Sequence, residues 1–311
     1  MKLPPGARRV LSILLMAAAF AFLGAEIVKN IDQLRGFDWR VRPALLLASV
    51  MLLSLLLFLG VVIWAAVLRR FGVDAPLLPL ARAWFISNVS RYIPGVVWQF
   101  LSLAELGAGA GLTPAVAISS LLVQMGFMLV GAGVIGVYFL PADAAGVLAP
   151  AQDAARWLAP LAIVAVHPRV IRFLLAHTGR ITRTTGLEWR GGWLDSVWML
   201  VLAGLAWAGT GAAFFLFLRS FVDVPLALLP ALTAMNALAF IVGYAAFFAP
   251  GGLGFREAAL TLLLSSLMPP AVAASLSVAA RLWGIGAEVI PAVALLPSRR
   301  RPPPAPTVTP I

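Results

Sequence analysis

Between Arg42 and Arg69 the chain runs through residues 43–68 without a single charge. That length of apolar sequence suits a helix crossing ~30 Å of hydrocarbon, which needs about 20 residues. Similar runs recur at 10–25, 114–140, 193–217 and 271–296, with a weaker one at 154–166 that contains Pro160. With 62% hydrophobic residues, 11% charged residues and a mean hydropathy of +0.99, no long stretch has the composition of a soluble domain. The expected fold is an all-α polytopic membrane protein of about six spanning helices. The run at 10–25, preceded by Lys2, Arg8 and Arg9, is read as an uncleaved first helix and not a signal peptide.

Two further apolar stretches are interrupted. In the first, a short helix at 79–92 meets Pro94 and Gly95, and a second short piece resumes over 96–107. In the second, within 225–268, Pro250, Gly251, Gly252 and Gly254 break the helix, and Arg256 and Glu257 follow at once. Unwound backbone at membrane depth is tolerated only where it is buried in protein or lines a wet cavity. Both stretches are therefore expected to be re-entrant hairpins. Pro94-Gly95 and Pro250-Gly251 lie 156 residues apart (250 − 94), as do the Pro-Ala-Val-Ala strings starting at Pro114 and Pro270 (270 − 114). An odd number of spans between the breaks would turn the hairpins to opposite faces, giving inverted repeats of the kind that place a transporter site near mid-membrane.

The net charge of +11 fits Arg-rich cytoplasmic loops on anionic lipid better than nucleic-acid binding. Arg69-Arg70, the segment 167–192 with Arg169, Arg172, Arg180, Arg183 and Arg190, and Arg299 to Arg301 fall on one side. The loop 141–153, free of Lys and Arg, falls on the other. The loop with Lys29, Arg35, Arg40 and Arg42 runs against the trend. The balance places the chain in the cell (inner) membrane with both termini cytoplasmic. Residues 1–296 read as a single transmembrane domain, and 297–311 as a disordered Arg/Pro-rich cytoplasmic tail. Trp39, Trp157, Trp189 and Trp193 are expected at the interfaces, and Gly131, Gly133 and Gly136 at close helix contacts.

The chain lacks the parts of an enzyme. It has no cysteine and only His167 and His177, which excludes disulfides, thiolate chemistry and a histidine-rich metal site. No Gly-x-Ser-x-Gly elbow, phosphate-binding loop or acidic pair is visible. No catalytic residue, metal or cofactor is expected. His167-Pro168 reads as the end of a span.

The candidate site residues are the intramembrane charges and their neighbours. Arg256, in the first turn of a helix, opposes the macrodipole unless an anion is bound nearby. Glu257 suits the same turn, either as a cap or as an ion-pair partner. Arg281 lies mid-span, where a lone charge costs at least ~2.5–3.5 kcal/mol, and Glu288 follows two turns later on the same face. Packing-only alternatives are a Glu257–Arg281 or an Arg256–Glu288 pair. Arg91 directly precedes the first break and is either an interfacial arginine or a phosphate ligand. Gln99 and Glu105 are polar positions on the resumed helix, and Gln124 is read as a helix–helix hydrogen bond.

Arg91-Tyr-Ile-Pro-Gly-Val-Val-Trp-Gln99, Pro250-Gly-Gly-Leu-Gly-Phe-Arg-Glu257, His167-Pro168 and Arg281 together resemble the membrane domain of lysylphosphatidylglycerol synthases, a flippase-like family with free-standing members. The resemblance covers roughly 10–296. It implies a helical membrane domain with re-entrant hairpins that moves lipid head groups between leaflets. Where members often carry an arginine and an acidic residue in the first half, this chain has Ser102 and Gln124. The segment after Leu296 is too short for the synthase domain, so synthase activity is not implied. The function expected is a flippase or transporter of an anionic phospholipid or lipid-linked head group. The alternative is a non-transporting scaffold for a glycolipid or polyprenyl-phosphate enzyme. The expected partner is an anionic lipid and not nucleic acid, and a second copy or a lipid-biosynthesis enzyme stays open as protein partner.

Overall fold

A computed structural model describes residues 27–92, 98–146, 149–182, 188–246 and 249–296, together with Ala21, Gly24 and Ala25. Most of the expected first span, the break at Pro94 and Gly95, and the tail 297–311 lie outside the described residues. Ten helices carry the architecture. They are α1 (Pro43–Arg70), α2 (Leu77–Ser90), α3 (Trp98–Ala108), α4 (Pro114–Phe139), α5 (Ala149–Leu158), α6 (Pro168–Thr182), α7 (Trp193–Arg219), α8 (Leu229–Ala245), α9 (Phe255–Leu264) and α10 (Pro270–Ala294). No strand occurs among the described residues. The protein is an all-α polytopic membrane protein.

Local chemistry sets the helix ends. Pro43, Pro114 and Pro270 open α1, α4 and α10, where a missing N–H costs nothing and the fixed φ is already helical. Thr113 adds a cap to α4, its hydroxyl accepting from the Val116 N–H at 3.3 Å. Arg69 and Arg70 close α1 and Arg219 closes α7, each favourable at the negative end of its helix. Along α1, Leu47, Met51, Leu55, Phe58 and Val62 form an exposed stripe. Leu53, Val61, Trp64 and Leu68 are buried on the other side. An apolar stripe of that length facing outward is the lipid face of a membrane helix.

Among the described residues, five helices are long and apolar enough to cross a membrane: α1, α4, α7, α10, and α8 with the 3-10 turn that leads into it (Leu226–Ala245). The first four match expected spans. The fifth is the first arm of the expected hairpin at 225–268, and its length alone would suffice to cross. The run at 154–166 is corrected, because it is not one helix. It is split into the end of α5, a 3-10 turn Ala159–Leu161 around Pro160, and a short helix Ala162–Ala165. Proline removes a backbone donor and clashes with the preceding turn, so the helix cannot run through it. The broken segment starts beside the end of α4, where Gln152 donates to the Leu140 carbonyl (2.7 Å), and Val166 joins the cluster that holds Val67 and Phe71.

Two faces follow from the ends of α1 and α7, which run antiparallel. On the first face Arg70 pairs with Asp195 (Nε–Oδ1 3.0 Å) and the Arg190 N–H donates to the Arg70 carbonyl (2.8 Å). On the second, Arg42 donates to the Arg219 carbonyl (2.9 Å) and pairs with Asp223. The Arg42 hydrogen bond, helped by Arg40, holds the Asp223 carboxyl below the usual carboxylate range. Leu140, just past α4, clusters with Val222 and Val224 on the second face, so α2 and α3 begin and return on the first. Ala292, near the end of α10, clusters with Leu68 and Leu112 on the first face, so α8 and α9 begin and return on the second. The hairpins therefore enter from opposite faces. The helix ends repeat at the same spacing as the motifs: Ala108 and Leu264 close α3 and α9, and Pro114 and Pro270 open α4 and α10, each 156 residues apart (264 − 108, 270 − 114).

Small residues let these helices approach. A Cβ at Gly211 would stand 1.9 Å from Thr233 of α8, and one at Gly136 2.5 Å from Leu238. Gly131 likewise faces Ala203, whereas Gly133 borders open space. Trp39, Trp157 and Trp193 are exposed as interface residues should be, but Trp189 is buried at 3% exposure, edge-on to Phe71. It is a core residue of the first face and not a lipid anchor.

The cysteine-free sequence makes the topology directly testable. Asp74→Cys on the first face and Asp32→Cys on the second should react with a membrane-impermeant maleimide from opposite sides. Right-side-out vesicles should label one variant and inverted vesicles the other; labelling of both from the same side contradicts the arrangement.

Candidate functional site

The second hairpin turns at Pro250–Gly252, a 3-10 turn in which Gly251 and Gly252 both take positive φ (57° and 67°). At Gly252 no other residue fits, since a Cβ would stand 2.5 Å from the Gly243 carbonyl of α8. Gly254 (φ 86°) then starts α9. Its N–H donates to Glu257 Oε2 at 2.6 Å, so the carboxylate caps the helix it belongs to. The other oxygen of Glu257 pairs with Arg281 Nη1 at 3.3 Å. Arg281 stands midway along α10, and its Nη2 donates to the Gly251 carbonyl at 2.7 Å. One guanidinium thus ties a spanning helix to both the unwound turn and the cap behind it.

The tip of the first hairpin meets this assembly. Arg91 pairs with Glu288 of α10, and the Tyr92 hydroxyl donates to the other Glu288 oxygen at 3.0 Å. The Tyr92 ring lies between two cations, with the guanidinium carbons of Arg91 and Arg281 each 5.2 Å from its centroid. Deeper in the first hairpin Gln99 donates to Asn88 Oδ1 at 2.8 Å, and Ser102 to Ser90 at 3.0 Å. Gln124 makes the expected helix–helix bond, to the Gly60 carbonyl at 2.7 Å. His167 ends its segment as expected, its Nδ1 accepting from the Arg169 N–H.

A cavity of 370 Å³ opens beside the crossing tips. Its polar lining comes from Arg91, Gln99, Arg256 and Arg281, with the backbone of Gly251 and Gly252; Leu121, Met125 and Phe240 supply apolar wall. The structure therefore brings six of the expected residues to one space. Gly254, Glu257 and Glu288 stand behind that lining, where they hold the arginines. The Glu257–Arg281 pairing is the one anticipated. The Arg256–Glu288 pairing is not formed, because Glu288 lies across from Arg91.

Arg256 is the exception in this network. Its hydrogen bond runs to a neutral group, Asn236 Oδ1, at 3.3 Å, and it makes no ion pair among the described residues. Arg281, 8% exposed, has a buried Nε with no acceptor among the described residues. The site therefore has one more guanidinium than carboxylates. Asn236 and Tyr244 join the site without having been picked out from the sequence. Asn236 carried a signal, as a carboxamide in an uncharged membrane run. Tyr92 figured only as part of the motif, because its role depends on a partner on α10.

This architecture defines a multi-pass helical membrane protein with a charged cavity where two broken hairpins cross. The sequence model of one protein family, described as the lysylphosphatidylglycerol synthase TM region, matches residues 9–290, and the chain belongs to that family. A search of curated proteins found no match. Lysylphosphatidylglycerol is a membrane lipid, so membership ties the chain to membrane-lipid function.

The pairing of Arg91 with Glu288 predicts an asymmetric mutational response. Glu288→Gln strands a cation in the protein interior and should cost about 3 kcal/mol of stability, read as a fall in thermal midpoint in detergent. Arg91→Met combined with Glu288→Met should recover most of that loss, since neither charge is then left without its partner.

Proposed function

We propose that this protein moves an anionic phospholipid or lipid-linked head group across the cell membrane. The observation that carries the reading is Arg256, a cation that lines a mid-membrane cavity and has no carboxylate partner among the described residues. A charge in hydrocarbon is retained when it meets a ligand or a pathway, and a phosphodiester supplies the missing negative charge. The surrounding arginines are already braced by Glu257 and Glu288, so the cavity is organised before the head group arrives.

The inverted hairpins support alternating exposure of this cavity to the two faces. The face bearing Arg70 and Arg190 is assigned to the cytoplasm. The chain is read as a transporter without catalysis, with residues 1–296 as one membrane domain.

Translocation of a labelled phosphatidylglycerol analogue in proteoliposomes tests the proposal. A buried hydrogen bond to a charged group contributes about 1.5–3 kcal/mol. Arg256→Ala should therefore slow translocation by about tenfold or more, and Arg256→Lys by less, since it keeps the charge and loses the fork. Arg91→Ala should have the smaller effect on transport. Unchanged rates in both Arg256→Ala and Arg281→Ala would refute the assignment. No transport by the purified wild type, with activity only in complex with a lipid-synthesising enzyme, would favour an accessory role.

A further inference from the structure

α4 presents two neighbouring stripes to two different spaces. Leu121 and Met125 face the charged cavity. Val123, Phe127 and Val130 face a second hollow of about 480 Å³, whose far wall is the end of the broken run and the start of α6, including Val166 and Ile171. Leu122 and Gly126, one turn apart, line both spaces. Gly126 stands midway along the helix, and the place where its Cβ would be is open. Both spaces thus border one bare, exposed notch on α4.

The second hollow has the chemistry of a chain site and not of a water site. Among the described residues Ser119 is its only polar side chain, and a buried water needs two to four polar partners. Its stripe on α4 runs from Ser119 to Val130, about 16 Å of helix rise.

We infer that this hollow holds one alkyl chain of the same lipid whose head group occupies the arginine-lined cavity, with the chain passing over Gly126. The inference rests on the reading of that cavity as a head-group site, and it narrows the substrate class. The ligand is an amphiphile with a phosphodiester or phosphate at one end and a long hydrocarbon chain, and a soluble phosphate compound lacks half of the recognised structure. A lipid held this way has its head at mid-depth and its chain lying beside it, the posture of a molecule partway between leaflets. Phospholipid acyl chains and polyprenyl chains share this chemistry.

The test uses the full chain in phosphatidylcholine nanodiscs doped with phosphatidylglycerol that carries a diazirine near the end of one chain. After irradiation, labelled peptides are mapped. Labelling is expected on α4 around Val123 to Val130 and on the segment containing Val166 and Ile171. It should be competed by excess unlabelled dioleoyl phosphatidylglycerol, or more strongly by undecaprenyl phosphate if the chain is polyprenyl. Gly126→Leu, which fills the notch, and Val123→Trp, which fills the hollow from its own wall, should each cut this labelling by about tenfold. Both variants should keep the wild-type elution profile, and either one suffices if the other fails to fold. A phosphatidylcholine diazirine probe reports lipid that merely surrounds the protein and should respond to neither change. If the phosphatidylglycerol probe labels no more than this control and is indifferent to both variants, the hollow holds only surrounding lipid and the inference is wrong. If the two variants abolish labelling while Arg256→Ala leaves it intact, the chain site stands and the head-group reading fails.

Discussion

The guanidinium of Arg281 is the part on which the rest of the site depends. Backbone that leaves its helix inside a membrane must have its polar groups answered by protein or water. Here one side chain from the middle of α10 answers the Gly251 carbonyl, pairs with the carboxylate that caps α9, and lies over the ring of Tyr92 from the opposing hairpin. These contacts hold two broken hairpins, inserted from opposite faces, at one depth. Arg91, Tyr92 and Glu288 form the second half of the clamp. A buried ion pair is weak evidence of stability by itself. Its use here is to fix the tips in register, so that the remaining cation, Arg256, projects into a cavity already shaped.

Much of this was readable from the residues. Spans such as α1 and α4 were legible because charge-free runs of that length have few other homes, and the repeat was legible because Pro94-Gly95 and Pro250-Gly251 share their spacing with Pro114 and Pro270. The glycines of the second break announced a turn that only glycine can make, which the contact of Gly252 with Gly243 explains. What stayed hidden was tertiary. Glu288 lies 197 positions from Arg91, and nothing local says which arginine it will meet. Trp189 carries the composition of an interface residue, yet the packing of Phe71 and Phe127 takes it into the core. The run around Pro160 had the hydropathy of a span, and the proline decided its shape.

Membership in the lysylphosphatidylglycerol synthase membrane-region family agrees with this physical reading and is independent of it. The family indicates lipid, and the proposed placement of head group and chain rests on the geometry. The charge imbalance at Arg256 calls for an anion, the apolar walls of the cavity call for an amphiphile, and the adjoining hollow across Gly126 calls for hydrocarbon. Ser102 and Gln124 bond to Ser90 and to the Gly60 carbonyl. The cations that line the cavity come from three elements: Arg91 from the first hairpin, Arg256 from the second and Arg281 from α10.

The central claim is that the uncompensated cation of the crossing tips binds an anionic lipid. Native mass spectrometry of the protein extracted from its own membrane measures this directly. The account predicts a retained lipid of phosphodiester or phosphate type carrying net negative charge, enriched over its share of the membrane and lost from Arg256→Ala. Retention of zwitterionic lipid in proportion to the bulk membrane, unchanged in that variant, would contradict it.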